Sequence, residues 1–192
     1  MAEIKSALEL ALEKAERYGR ATQEEMAETQ YREQGRQLAV NYLKEGGDLE
    51  AELHTLPAPG QEAARWAIKE VLLRNIILPR DGESDPRMGR ALEGLLLVAS
   101  NKKAMTRLKG ELDQILLNFM QVRNNAHQQL KARFGAGVGN MQRALEAQLK
   151  QKVRLEVEHL PQFQEEWRRF QSQLQDQFEP MLDQVKAQMQ NF

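Results

Sequence analysis

Large apolar side chains recur at steps of three and four along most of the chain. That spacing gathers them on one face of an α-helix. The longest stripe closes the sequence: Leu160, Phe163, Trp167, Phe170, Leu174, Phe178, Leu182, Val185, Met189 and Phe192. It predicts a long amphipathic helix. Pro161 and Pro180 mark helix starts or kinks within it, since each removes an intrahelical hydrogen bond. A lone helix cannot bury such a stripe. The cover is either the rest of this chain, a second copy, another protein or a lipid surface.

The same pattern divides what precedes it. Ile4, Leu8, Ala11, Ala15 and Tyr18 share a face, and Gly19 reads as the stop of a first helix. Thr22 with Glu25 three residues on reads as a capping box opening a second, polar helix to about Lys44. Gly46-Gly47-Asp48 ends that helix, and Asp48 can cap a short one over Leu49, Leu53 and Leu56. Pro57-Ala58-Pro59-Gly60 is a breaker. Beyond it, Trp66, Ile68, Val71, Leu72, Leu73, Ile76, Ile77 and Leu78 make the most apolar helix of the chain, one that belongs inside a bundle.

Pro79-Arg80-Asp81-Gly82 predicts a turn, and Asp85-Pro86 a helix start with proline at its first position. From there to about Arg133 no proline intervenes, so a single long helix is expected. Leu108, Leu112, Ile115, Phe119, Val122 and Ala126 alternate four and three within it, a short heptad stretch. Gly135-Ala136-Gly137-Val138-Gly139 then predicts a break and a hinge, with Asn140 capping the next helix through Met141, Leu145, Leu149 and Val153.

The expected fold is therefore all-α: an elongated helical bundle of about five to seven helices, with long coiled-coil-like members. Four segments are predicted: an acidic helical arm over 1–60, an apolar centre over 61–134 containing a long helix from about residue 86, a glycine hinge at 135–139 and an amphipathic C-terminal arm over 140–192. In general character the chain resembles helical-bundle and coiled-coil proteins.

Composition sharpens the functional reading mainly by exclusion. The 192 residues include no cysteine, which removes disulfides, thiolate nucleophiles and cysteine-ligated zinc. No apolar run is long enough to cross a bilayer, and the start lacks a signal-peptide pattern, so a cytoplasmic location is expected. Net charge is −1 but unevenly spread. Residues 1–60 carry 7 basic and 12 acidic side chains, and residues 61–139 carry 13 and 8. An acidic arm and a basic middle can attract one another, within a chain or between copies.

Catalytic motifs are scarce. Glu156-Val157-Glu158-His159 holds one Glu-x-x-His, whereas carboxylate-bridged di-metal bundles need two plus further glutamates. It reads as a surface pair. The glycine run has neither a preceding strand nor a following Gly-Lys-Ser/Thr, so it is no phosphate loop. No serine sits in a nucleophile turn. No cofactor and no metal are expected.

The favoured function is a non-catalytic scaffold or adaptor acting by helix–helix association, with itself as a homo-oligomer or with another helical protein. Leu160, Phe163, Trp167, Phe170, Leu174, Phe178 and Leu182 are its candidate contact residues. The alternative is a nucleic-acid-associated protein using Arg80, Arg87, Arg90, Lys102, Lys103 and Arg107, although no aromatics are interleaved for base stacking. A third reading is an enzyme with a site assembled between helices.

Overall fold

A computed structural model of the chain describes residues 7–79, 85–149, 151 and 156–192. Among these the fold is all-α, without strands. Six α-helices follow in order: α1 (Ala7–Glu45), α2 (Leu49–His54), α3 (Ala58–Arg74), α4 (Pro86–Val98), α5 (Lys102–Leu149) and α6 (Pro161–Gln190). A single 3-10 turn, Val157–His159, precedes α6.

The helices form two compact units. The first holds the described residues up to Ile76, then Pro86–Lys102 and Phe192; the second holds Ile77–Pro79, Asp85 and Lys103–Asn191. The division departs from the expected apolar centre over 61–134, because α3 and α4 pack with α1 while α5 belongs with α6.

In the first unit α1 lies along α3, and α2 and α4 complete the core. The pairing is close because Gly35 on α1 meets the backbone of Ala64 on α3: a Cβ at Gly35 would stand 2.3 Å from the Ala64 carbonyl oxygen. Ala39, Leu53, Ala64, Ala67, Ile68, Leu72, Ile76, Ala91, Leu95 and Val98 are fully shielded from solvent around that contact.

Arginines satisfy two helix ends here. Arg90 donates to the carbonyls of Leu43 and Lys44, both at 2.9 Å, in the last turns of α1. Arg65 donates to the Val98 carbonyl at the end of α4, also at 2.9 Å. Both place positive charge where a helix C-terminus leaves carbonyls without intrahelical donors. Gly46 and Gly47, with φ of 78° and 120°, turn the chain out of α1, and Asp48 caps α2 through the Ala51 N–H at 3.0 Å. The main-chain N–H of Ser100 bonds to the Phe192 carbonyl at 2.6 Å.

The second unit pairs α5 with α6. Phe119 meets Phe178 edge-on, with ring centroids 5.5 Å apart, and Phe134 meets Phe163 at 5.8 Å. Leu108, Leu112, Leu116 and Phe119 form the buried face of α5's first half. Leu116 occupies a position that the heptad assigned to Ile115, and Val122 is 37% exposed. A straight helix turns about 20° past a seven-residue repeat with each heptad, so the buried face drifts off it. Lys131 pairs with Glu158 and Arg133 with Glu166.

Several predicted helix boundaries move. Gly19 and Thr22 neither stop nor start a helix: α1 runs unbroken through both. Gly135, Gly137 and Gly139 likewise lie inside α5 and form no break, so Asn140 starts no helix. An interior glycine costs a helix only about 1 kcal/mol relative to alanine, less than orphaning the backbone groups of two new helix ends. Conversely, the helix expected from residue 86 to about 133 is interrupted after Val98, and Asn101, a favoured N-cap residue, precedes a fresh start at Lys102. The apolar helix expected to continue through Leu78 ends at Arg74, where the Asn75 N–H turns back to the Leu72 carbonyl at 3.0 Å. Asp85-Pro86 does precede a helix, and Pro161 opens α6 at a position that suits proline. Pro180 lies inside α6 on its exposed side, where water can satisfy the freed carbonyl. Residues 80–82 of the turn expected over Pro79-Arg80-Asp81-Gly82, and Val153 of the apolar positions expected to lead to the terminal stripe, lie outside the described residues.

The glycine run supplies a direct test. A Cβ at Gly135, Gly137 or Gly139 would meet nothing within 4 Å. Replacing all three by alanine is therefore expected to raise stability by about 2 kcal/mol in total, at 0.5–1 kcal/mol per site. Thermal melting of the triple variant measures it. A lower midpoint would mean that these glycines are needed in a non-helical conformation.

Candidate functional site

An open concavity of the first unit lies between α1 and α3. It has a volume of about 580 Å³ and is lined by Ala27, Glu28, Tyr31 and Arg32 from α1 and by Pro59, Glu62, Ala63, Arg65, Trp66 and Lys69 from α3. Local sequence sets its shape. Tyr31 can lie against α3 because residue 60 is glycine; a Cβ there would come within 2.3 Å of the Tyr31 ring. Ala27 and Ala63 leave the space that larger residues would fill.

Trp66 gives the groove its character. The apolar pattern placed it inside the bundle, yet it is 41% exposed. Ala67 and Ile68, the next two residues, take the buried positions, and one helical residue back points to the rim. The Arg32 guanidinium lies over the indole, 4.8 Å from the ring centroid, and is paired with Glu28 at 2.7 Å. Exposed aromatic rings carrying an arginine are favoured anchors in protein contacts.

The groove carries Arg32, Arg65 and Lys69 against Glu28 and Glu62, and Arg65 pairs with Glu62 at 3.9 Å, while Arg32 pairs with Glu28. Lys69 is only 6% exposed. Burial, and then the neighbouring Arg65 charge, hold its ammonium below the usual lysine range, with Glu62 opposing. Because its folded-state value is depressed, the buried charge penalises folding at neutral pH, and that penalty is relieved as pH rises through the lowered value. The Nε atoms of both Arg32 and Arg65 are buried without a hydrogen-bond acceptor. A buried unmet donor is a standing demand for an acceptor.

The expected contact residues of the terminal stripe have a different placement. Phe163, Leu174, Phe178 and Leu182 are each 4% exposed or less, covered within the second unit. Leu160, Trp167 and Phe170 are half-buried. Trp167 packs edge-on against His127 at 4.7 Å and stacks on Phe170 at 5.7 Å. The chain's own α5 thus supplies cover for the stripe.

Three of the basic residues have partners close by. Arg90 caps α1, Lys102 pairs with Glu50 at 3.3 Å, and Arg107 pairs with Glu111 at 3.4 Å one turn away. Arg87 and Lys103 are exposed, and Arg80 lies outside the described residues. Glu156 and His159 face each other across 3.8 Å, both exposed. Among the described residues no group of three or more histidine or acidic side chains is placed to hold a metal ion, and no helix is long and apolar enough to cross a membrane.

Comparison with known proteins bears on most of this chain. Residues 50–191 match a protein family described as a family of unknown function (DUF6657). The match begins inside α2 and leaves α1 outside, although Gly35, Ala39, Tyr42 and Leu43 of α1 are buried in the first unit. No curated protein and no solved structure matches the chain.

Proposed function

The chain belongs to the DUF6657 family, whose function is not established, and from that footing we propose a non-catalytic role: a cytoplasmic helical scaffold that associates with a second copy of itself through the Trp66 groove. One observation carries the reading, the half-exposed Trp66 under Arg32 in an open groove beside the buried Lys69.

Helix lengths and charge favour a second copy as the occupant. With 39 residues, α1 is about 58 Å long. With 17 residues, α3 is about 26 Å long, so it can run beside no more than about half of α1. The remaining half matches α3 in length, and the groove would receive it from a neighbouring molecule. Its sequence carries Leu8, Ala11, Ala15 and Tyr18 on one face, with Glu9, Glu13 and Glu16 interspersed with Lys14 and Arg17. Those glutamates suit the buried Lys69 of the groove. Reciprocal exchange of the two arms gives a closed two-fold dimer.

Light scattering over a concentration series tests this. The full chain is expected to form a dimer that weakens with added salt. Trp66→Ala should weaken it at least about tenfold while leaving helicity unchanged. A monomer at every concentration, or a dimer indifferent to Trp66→Ala, would overturn the proposal.

A further inference from the structure

The second unit contains a smaller cavity of about 260 Å³. Leu78, Phe119 and Leu174 supply apolar walls, while Arg123 from α5 and Gln171 and Gln175 from α6 bring polar groups to the same space. The two glutamines are one helical turn apart and so share a face.

Arg123 is the unusual member. Its guanidinium lies 5.4 Å from the Trp167 ring centroid, and its Nε is buried without any acceptor. Two other cations of this unit reach acidic partners on a separate segment, Lys131 to Glu158 and Arg133 to Glu166. Among the described residues no carboxylate forms an ion pair with Arg123. A planar fork of donors, held against an aromatic face and lacking an anion, is matched in shape to a carboxylate. The apolar walls of the same cavity fit a hydrocarbon tail. The amides of Gln171 and Gln175 can donate to the same oxygens or accept from a hydroxyl.

We propose that this cavity is a binding site for a small monocarboxylate with a short apolar tail, its carboxylate on Arg123 and its tail against Phe119 and Leu174. The site is independent of the Trp66 groove, since it rests on other residues in the other unit.

The test uses the full chain carrying Trp66→Phe, which leaves Trp167, beside Arg123, as the only indole. Hexanoate is titrated while Trp167 fluorescence is followed, with hexanol and hexylamine in parallel, and calorimetry repeats the titration on the unaltered chain. Saturable binding of hexanoate is expected, with hexanol and hexylamine at least about tenfold weaker, the discrimination a charge-assisted hydrogen bond supplies. Arg123→Met should weaken hexanoate by about tenfold or more, and Arg123→Lys by less. If Arg123→Met does not fold, Gln171→Ala with Gln175→Ala gives a second measure, expected to weaken binding several-fold. No saturation by about 50 mM hexanoate, a limit weaker than any specific site of this kind, would overturn the proposal. So would equal binding of hexanol, or a folded Arg123→Met variant with unchanged affinity.

Discussion

Gly35→Ala is expected to destabilise the chain by about 3 kcal/mol, the upper part of the range for overpacking. Helix propensity works the other way, since alanine gains about 1 kcal/mol over glycine inside a helix. The clash outweighs it. The new Cβ would stand 2.3 Å from the Ala64 carbonyl oxygen and 2.7 Å from the Ala64 Cα. These are backbone atoms, so no rotamer change relieves the contact, and α1 and α3 must move apart. A gap of 0.5–1 Å already forfeits about a quarter to a half of a dispersion contact, here along the whole line of Ala39, Ala64, Ala67 and Ile68. Urea denaturation followed by circular dichroism measures the loss. Gly89→Ala is the control, because a Cβ there meets nothing within 4 Å. If Gly35→Ala proved as stable as the parent while Gly89→Ala behaved as a control should, the close approach of α1 and α3 would be refuted.

Phe178→Ala is expected to lower stability by about 3–5 kcal/mol, the usual range for truncating a buried phenylalanine. Phe178 is 3% exposed and packs edge-on against Phe119. Removing it takes away its own burial, leaves a void beside Leu174 and Leu182, and deprives Phe119 of its ring partner. Against a total stability of about 5–15 kcal/mol, this is a large fraction. The same variant separates the two readings of the terminal stripe. If α5 covers it, the denaturant midpoint falls even where the protein is dilute. Were the stripe a docking face, dilute stability would barely change and association would be lost instead. Denaturation curves at two protein concentrations distinguish the outcomes.

What could be read from the sequence depended on how local the determining physics was. Asp48 capping α2, Pro86 and Pro161 opening helices, and the buried face of α6 all follow from chemistry within one or two turns. The all-α fold follows from the same periodicity. Glycine misled, because its cost inside a helix is small compared with that of ending one, so Gly19 and the run at 135–139 were absorbed. Gly35 gave the opposite error: it lies in a polar stretch that looks unremarkable alone, and its importance appears only when Ala64 arrives from another helix. Trp66 read as core because its neighbours are apolar, yet helical geometry sends it to the rim while Ala67 and Ile68 turn inward. Arg123 bore no signal in the sequence; only its placement beside Trp167, Gln171 and Gln175 distinguishes it from other surface-facing arginines.

The chain passes from the first unit to the second after Ile76, returns at Pro86, leaves again after Lys102 and returns once more at Phe192. A continuous gene fragment over 1–102 therefore carries the helices of the first unit and lacks only Phe192, while one over 103–191 carries those of the second and lacks only 77–85. A ribosome that has released α1–α3 still withholds α4, whose Ala91, Leu95 and Val98 complete the first core. Maturation of that core must wait for α4 to be translated, so a transplantable module has to run through to Lys102 and carry the excursion between Ile77 and Asp85 with it.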